Sequence, residues 1–91
     1  MITDTSLDAF VSLETRYNAT IRRRILNLLS ESPEPLNNRK IGKLLRLPIN
    51  TITGRTNELL NEGLVIRVWK ARDEETGRLA YKLALANLEE A

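Results

Sequence analysis

The side chains able to do chemistry in this sequence are amides, hydroxyls and cations, because the common catalysts are missing. There is no histidine and no cysteine, which removes the usual general base, the usual zinc ligands, the Ser-His and Cys-His nucleophiles and any disulfide. Glu74-Glu75 and Glu89-Glu90 stand in polar segments, and no phosphate-loop, nucleophile-elbow or metalloprotease motif occurs. The expectation is a protein that is not an enzyme and carries no cofactor and no metal. What the sequence does carry is charge sorted by region. Residues 1–15 sum to −3, residues 16–72 set twelve Lys and Arg against four Glu for +8, and residues 73–91 return to −3. A basic centre between acidic ends fits a polyanion-binding surface, and a solvated face explains the same pattern. The run Arg22-Arg23-Arg24 adds little, because three consecutive helical side chains fan over about 200° and cannot share one ligand.

The scaffold for these groups has to be small. The chain has 91 residues, 42% hydrophobic and 29% charged, which suits one globular domain. Sixteen leucines, seven isoleucines and three valines supply its core, and the aromatics are Phe10, Tyr17, Trp69 and Tyr81. No apolar run approaches a membrane span, and MITDTSLD lacks the basic and apolar regions of a signal peptide, so no membrane contact and a cytoplasmic location are expected.

Periodicity predicts the elements: mainly α with a small antiparallel β-hairpin. Thr5-Ser6 can cap a helix over about 6–16, with Leu7, Phe10, Val11 and Tyr17 at near-helical spacing. A second helix is expected over about 18–30, with Ile21, Ile25, Leu28 and Leu29 on one side, ended by the prolines of SPEP. Asn37 can cap a short helix over 38–45 whose inner face is Ile41, Leu44 and Leu45. Pro48 opens another over 49–61, with Ile52, Thr56, Leu59 and Leu60 inward and Gly63 as a left-handed cap. Beyond it, 64–70 and 79–85 read as strands, Leu79, Tyr81, Leu83 and Leu85 sharing one face. Residues 1–17 would be an N-terminal helix available for dimerisation, 18–86 the core and 87–91 an acidic tail.

Residues 36–69, LNNRKIGKLLRLPINTITGRTNELLNEGLVIRVW, resemble the winged helix-turn-helix superfamily of small prokaryotic, phage and archaeal-virus transcriptional regulators. The landmarks are Ile41, Leu44, Leu47-Pro48, Thr51-Ile52-Thr53, Glu58-Leu59 and Gly63-Leu64-Val65, followed by the hairpin segment DEETGR at 73–78. The resemblance implies a sequence-specific double-stranded DNA-binding protein that regulates transcription. Its second motif helix, 49–61, would lie in the major groove. The same fold also serves as a protein-interaction module without DNA binding.

Carried onto this chain, Asn50, Thr51, Thr53, Gly54 and Asn57 become the base-reading positions, the two amides suiting an adenine edge. Gly54 costs about 1 kcal/mol against alanine within a helix, which a close approach to DNA or to a packed neighbour would explain. Asn50 has a second reading, as a cap of the helix start. Asn37, Asn38, Arg39, Lys40, Lys43 and Arg46 surround an exposed helix N-terminus and form a candidate phosphate clamp. Arg55 is a further phosphate candidate, although Glu58 lies three residues on and offers it an intrahelical pair. In the wing, Lys70, Arg72 and Arg78 are candidate contacts, while Asp73, Glu74 and Glu75 would put negative charge at the tip, where phosphates repel it or a protein partner meets it. Leu7, Phe10, Val11, Leu85 and Leu88 exceed the needs of one minimal core and point to a homodimer.

Overall fold

Between residue 3 and residue 31 the chain has no glycine or proline, and its backbone forms a single helix, α1 (Thr3–Glu31). The computed structural model describes the backbone of residues 3–86 and the side chains of residues 13–86. Two expected helices, 6–16 and 18–30, are therefore one. The polar residues Glu14 and Asn18 interrupt the apolar stripe, but a helix needs a breaker or a cap to end, and neither stands there. Thr20 instead donates its hydroxyl to the Arg16 carbonyl at 2.9 Å, one turn back along a continuous helix. The helix already runs through Thr5 and Ser6, and the side chains of Leu7, Phe10 and Val11 lie outside the described residues, as do Leu88 and the tail 87–91.

Only the C-terminal half of α1 supplies the described core: Ile21, Ile25 and Leu29 are buried with Leu36, Ile41, Ile52, Leu59, Val65 and Leu83. Around this cluster pack α2 (Asn38–Leu45), α3 (Ile49–Asn61) and a hairpin of β1 (Val65–Arg72) and β2 (Leu79–Leu85). Leu36 and Leu83 exchange two backbone hydrogen bonds of 3.0 and 2.8 Å, so the segment before α2 pairs with the other edge of β2. Val65, where β1 begins, is buried, one residue after the expected start at 64. Leu44, expected on the inner face of α2, is exposed.

The link between α2 and α3 is three residues long and demands two backbone features. Arg46 adopts the left-handed conformation (φ 60°, ψ 46°), and Leu47 N–H donates to the Gly42 carbonyl at 3.0 Å. A Cβ on Gly42 would lie 2.9 Å from the Leu47 carbonyl oxygen, so the turn closes this tightly only over glycine. Pro48 then caps α3 with extended backbone (φ −61°, ψ 148°). At the other end Gly63, with φ 79°, lets Leu64 N–H reach the Leu59 carbonyl at 3.0 Å.

Candidate nucleic-acid interface

Burying Ile52, Thr56 and Leu59 fixes the rotation of α3 and turns Asn50 and Asn57 outward. The side chains of Asn50, Thr51, Thr53 and Asn57 donate and accept no hydrogen bond among the described residues, although the Thr53 carbonyl accepts from the Thr56 hydroxyl at 3.2 Å. Asn50 makes no cap bond, because Pro48 holds the cap position and no side chain caps α3. A Cβ at Gly54 would meet no atom within 4 Å among the described residues, so no packed neighbour among them explains that glycine.

The cations sort differently. Arg55 donates to Glu58 at 2.8 Å, and Glu58 also faces Arg22 of α1 at 3.6 Å. Arg55 is largely buried and its Nε has no partner among the described residues, so the intrahelical pair prevails over the phosphate reading. Arg22 also pairs with Glu62, and Arg24 donates to the Leu45 carbonyl at 3.1 Å. Two of the three consecutive arginines thus tie α1 to α3 and α2.

Asn37 caps α2 as expected, its Oδ1 accepting from Lys40 N–H at 2.8 Å. It is buried, and its Nδ2 donates to Asp73 Oδ2 at 3.3 Å. With its oxygen on the helix cap and one N–H on Asp73, this buried amide holds α2 against the hairpin turn instead of standing free for a phosphate. The side-chain oxygen of Asn38 is buried without a partner among the described residues. Lys40 and Arg46 are exposed and make no ion pair among the described residues. Arg39 lies 3.5 Å from Asp73, and Lys43 pairs with Glu75.

These acids belong to the hairpin connection, and they are not the bare negative tip that the sequence suggested. Asp73 is buried. Its Oδ1 accepts from the N–H groups of Glu75 at 2.7 Å and Thr76 at 3.2 Å, which shapes the turn. The Glu75 N–H, then that of Thr76, then Arg39 and Asn37 hold its carboxyl below the ordinary value of 3.8, against the opposing effect of burial. Glu74 alone of the three is exposed with no ion pair among the described residues. A surface for a partner protein is hard to build from an acid cluster so occupied.

Leu79 and Tyr81, expected to face inward with Leu83 and Leu85, do share their side of β2 but are exposed. They reach beyond the core and line a concavity of about 800 Å³ between α3 and the hairpin. Thr53 and Asn57 form its helix side, Arg67, Arg78 and Tyr81 its strand side, and Asn38 and Arg39 its end. Arg67 lies 5.1 Å and Lys70 5.0 Å from the centre of the Tyr81 ring. Arg72 donates to the Gly77 carbonyl at 2.8 Å, which ties it to the turn. Neither Arg67 nor Tyr81 is marked out as functional by the sequence: alternation puts Tyr81 with the core, and Arg67 stands among apolar strand residues. The signal that finds them is the pairing partner of each strand residue, which one sequence does not contain.

The profile of the winged helix-turn-helix DNA-binding family matches residues 19–66, just over half of the chain. The chain belongs to that family. The match spans the half of α1 that packs on the core, the helix-turn-helix and the start of β1. The wing beyond residue 66 is thus assigned by the structure.

Among solved structures, the winged helix is similar to the PcaV transcriptional regulator from Streptomyces coelicolor in complex with its natural ligand. Identity is 29% and the TM-score 0.56, over 76% of this chain and 45% of that one. It is similar in fold to a MarR family transcription regulator at 19% identity and TM-score 0.55, over 94% of this chain and 62% of the other. The chain therefore spans less than two thirds of either protein. A search of curated proteins found no match. Among the described residues no helix is long and apolar enough to cross a membrane, and no group of acidic side chains is placed to hold a metal ion.

Proposed function

We propose that this winged helix is a sequence-specific double-stranded DNA-binding protein that regulates transcription in the cytoplasm, by binding rather than by catalysis. One observation carries the reading: α3 presents Asn50, Thr51, Thr53 and Asn57 with their hydrogen-bonding groups unspent, beside a concavity rimmed by Arg39, Arg67 and Arg78. In this reading α3 enters the major groove, and the amides and hydroxyls read base edges. Arg39, Lys40, Lys43 and Arg46 meet phosphates, joined by Lys70, Arg72 and Arg78 of the wing. The open space over Gly54 leaves room for close approach of the helix backbone to the duplex.

A selection of bound duplexes from a random pool tests this directly, followed by a salt titration on the enriched sequence. An enriched motif with a log–log salt slope on the order of −4 to −5 is expected, from about 4–6 phosphates met per subunit. Undetectable binding at low salt, or binding that ignores salt, sinks it.

We further propose a homodimer formed through the N-terminal segment 1–17, which includes the first half of α1. Leu13 and Tyr17 lie one helical turn apart and are 59% and 58% exposed, while the first buried residue described on α1 is Ile21. A dimer would set two recognition helices about 34 Å apart and select an inverted repeat. Sedimentation at micromolar concentration decides the matter, since a single 10.4 kDa species refutes the dimer.

A further inference from the structure

The register of the wing contains an offset. Val65 pairs with Leu85 and Arg67 with Leu83, but beyond that point Trp69 pairs with Lys82, Lys70 with Tyr81 and Arg72 with Leu79. Val68 has no partner, so it is the extra residue of a β-bulge. Paired residues of an antiparallel ladder share a face. Val65, Arg67, Lys70 and Arg72 therefore stand on the side of the sheet that carries Leu79, Tyr81, Leu83 and Leu85. Strict alternation would have put Trp69 and Ala71 there in place of Lys70 and Arg72. The bulge thus gathers three cations on one face, and two of them, Arg67 and Lys70, sit at 5.1 and 5.0 Å from the Tyr81 ring centre. Neither is paired with a carboxylate among the described residues, unlike Arg39 and Lys43. Arg67 and Tyr81 line the same concavity as Asn57 of the recognition helix.

We propose that Arg67, Lys70 and Tyr81 form a seat for one phosphodiester strand of the duplex, the strand that runs between the groove entered by α3 and the wing. The proposal rests on the DNA-binding reading above. A helix in one groove and a hairpin beyond it must straddle a single sugar-phosphate ridge, and the concavity between them is where that ridge lies. Its strand wall has uncompensated positive charge, which suits a diester anion. The Arg67 guanidinium can give two parallel N–H groups to a phosphate, and the Tyr81 hydroxyl can give a third hydrogen bond. Holding the guanidinium over the ring beforehand reduces the side-chain entropy lost on binding.

The test walks one neutral methylphosphonate along each strand of the selected duplex and measures affinity for wild type and Arg67→Ala. Arg67→Ala should weaken specific and random duplexes together, about fivefold to tenfold, and reduce the salt slope by about one. Arg67→Lys should keep the slope. Tyr81→Phe should lose about twofold to threefold, the share of one hydrogen bond, with the slope unchanged. One methylphosphonate position should weaken wild type and leave Arg67→Ala unaffected. That comparison is made within each variant, so a change in folded fraction does not disturb it. If wild type binds with a steep slope while Arg67→Ala keeps both slope and full methylphosphonate profile, the seat is wrong and DNA binding stands. If wild type itself does not bind duplex, the underlying reading has failed instead.

Discussion

On α3, Asn50, Thr51, Thr53 and Asn57 keep their polar groups unused among the described residues, whereas on α2 Arg39 and Lys43 already hold Asp73 and Glu75. The reading surface is neutral and idle. The clamp beside it is charged, and two of its cations, Arg39 and Lys43, are engaged with carboxylates from the wing. A duplex meeting α3 gains contacts without breaking any, while a duplex meeting α2 must exchange a carboxylate for a phosphate at Lys43 and Arg39. Under the proposed DNA-binding function, discrimination between sequences would fall to α3, and the strength of sequence-independent attachment would be set by this competition between carboxylate and phosphate.

The largest effect that would sharpen this contrast belongs to Asn57. Asn57→Ala should cost about 1–3 kcal/mol on the preferred sequence and leave random-duplex affinity and the salt slope as they were. Asn50→Ala should behave alike, without the loss of folding stability that a helix cap would bring, since Asn50 caps nothing. Equal losses on preferred and random duplexes would erase the distinction between the two regions.

A smaller effect of opposite sign tests the clamp. Glu75→Gln releases Lys43 and should raise affinity for every duplex about twofold to fivefold, whereas Lys43→Ala should lower it and flatten the slope by up to about one. In the double variant Glu75→Gln no longer helps. Measured affinities for the two single variants and the double settle it, and a gain from Glu75→Gln that survives in the absence of Lys43 would mean that the acid acts by general repulsion.

The smallest effect is on folding. Because the Asp73 carboxyl is held below 3.8 by the Glu75 N–H and its other partners, it stabilises the fold above its unfolded pKa. That contribution fades as pH falls through the still lower folded value, so the window lies below about pH 4. Thermal midpoints of Asp73→Asn and wild type should differ at neutral pH and converge as the solution is acidified through that window. A constant difference would show that the charge of Asp73 is not what joins wing to clamp.

The helix-turn-helix was legible because its punctuation is local: Asn37, Pro48 and Gly63 each declare a helix end through their own backbone chemistry. What stayed hidden depends on distant partners. The expected break between helices over 6–16 and 18–30 rests on a lapse in the apolar stripe, yet a surface helix tolerates polar residues where it leaves the core. Asp73 read as a repelling charge because its partners Asn37 and Arg39 are far off in sequence. Leu79 and Tyr81 read as core from alternation, which reports a shared face but not how far the core extends along it. Arg55 and Glu58 were weighable in advance because both partners sit on one helix.

The unpaired Val68 gives β1 a spare unit of length, with a consequence for how this protein can change by insertion and deletion. Losing Val68 would straighten the strand and preserve every facing, with Lys70 still opposite Tyr81. Losing Ala71 instead would shorten the strand equally and absorb the same offset, but it would bring Trp69 opposite Tyr81 and turn Lys70 away. Two chains of identical length would then differ in whether an ammonium or an indole confronts the tyrosine, a contrast that no single substitution count between them would reveal.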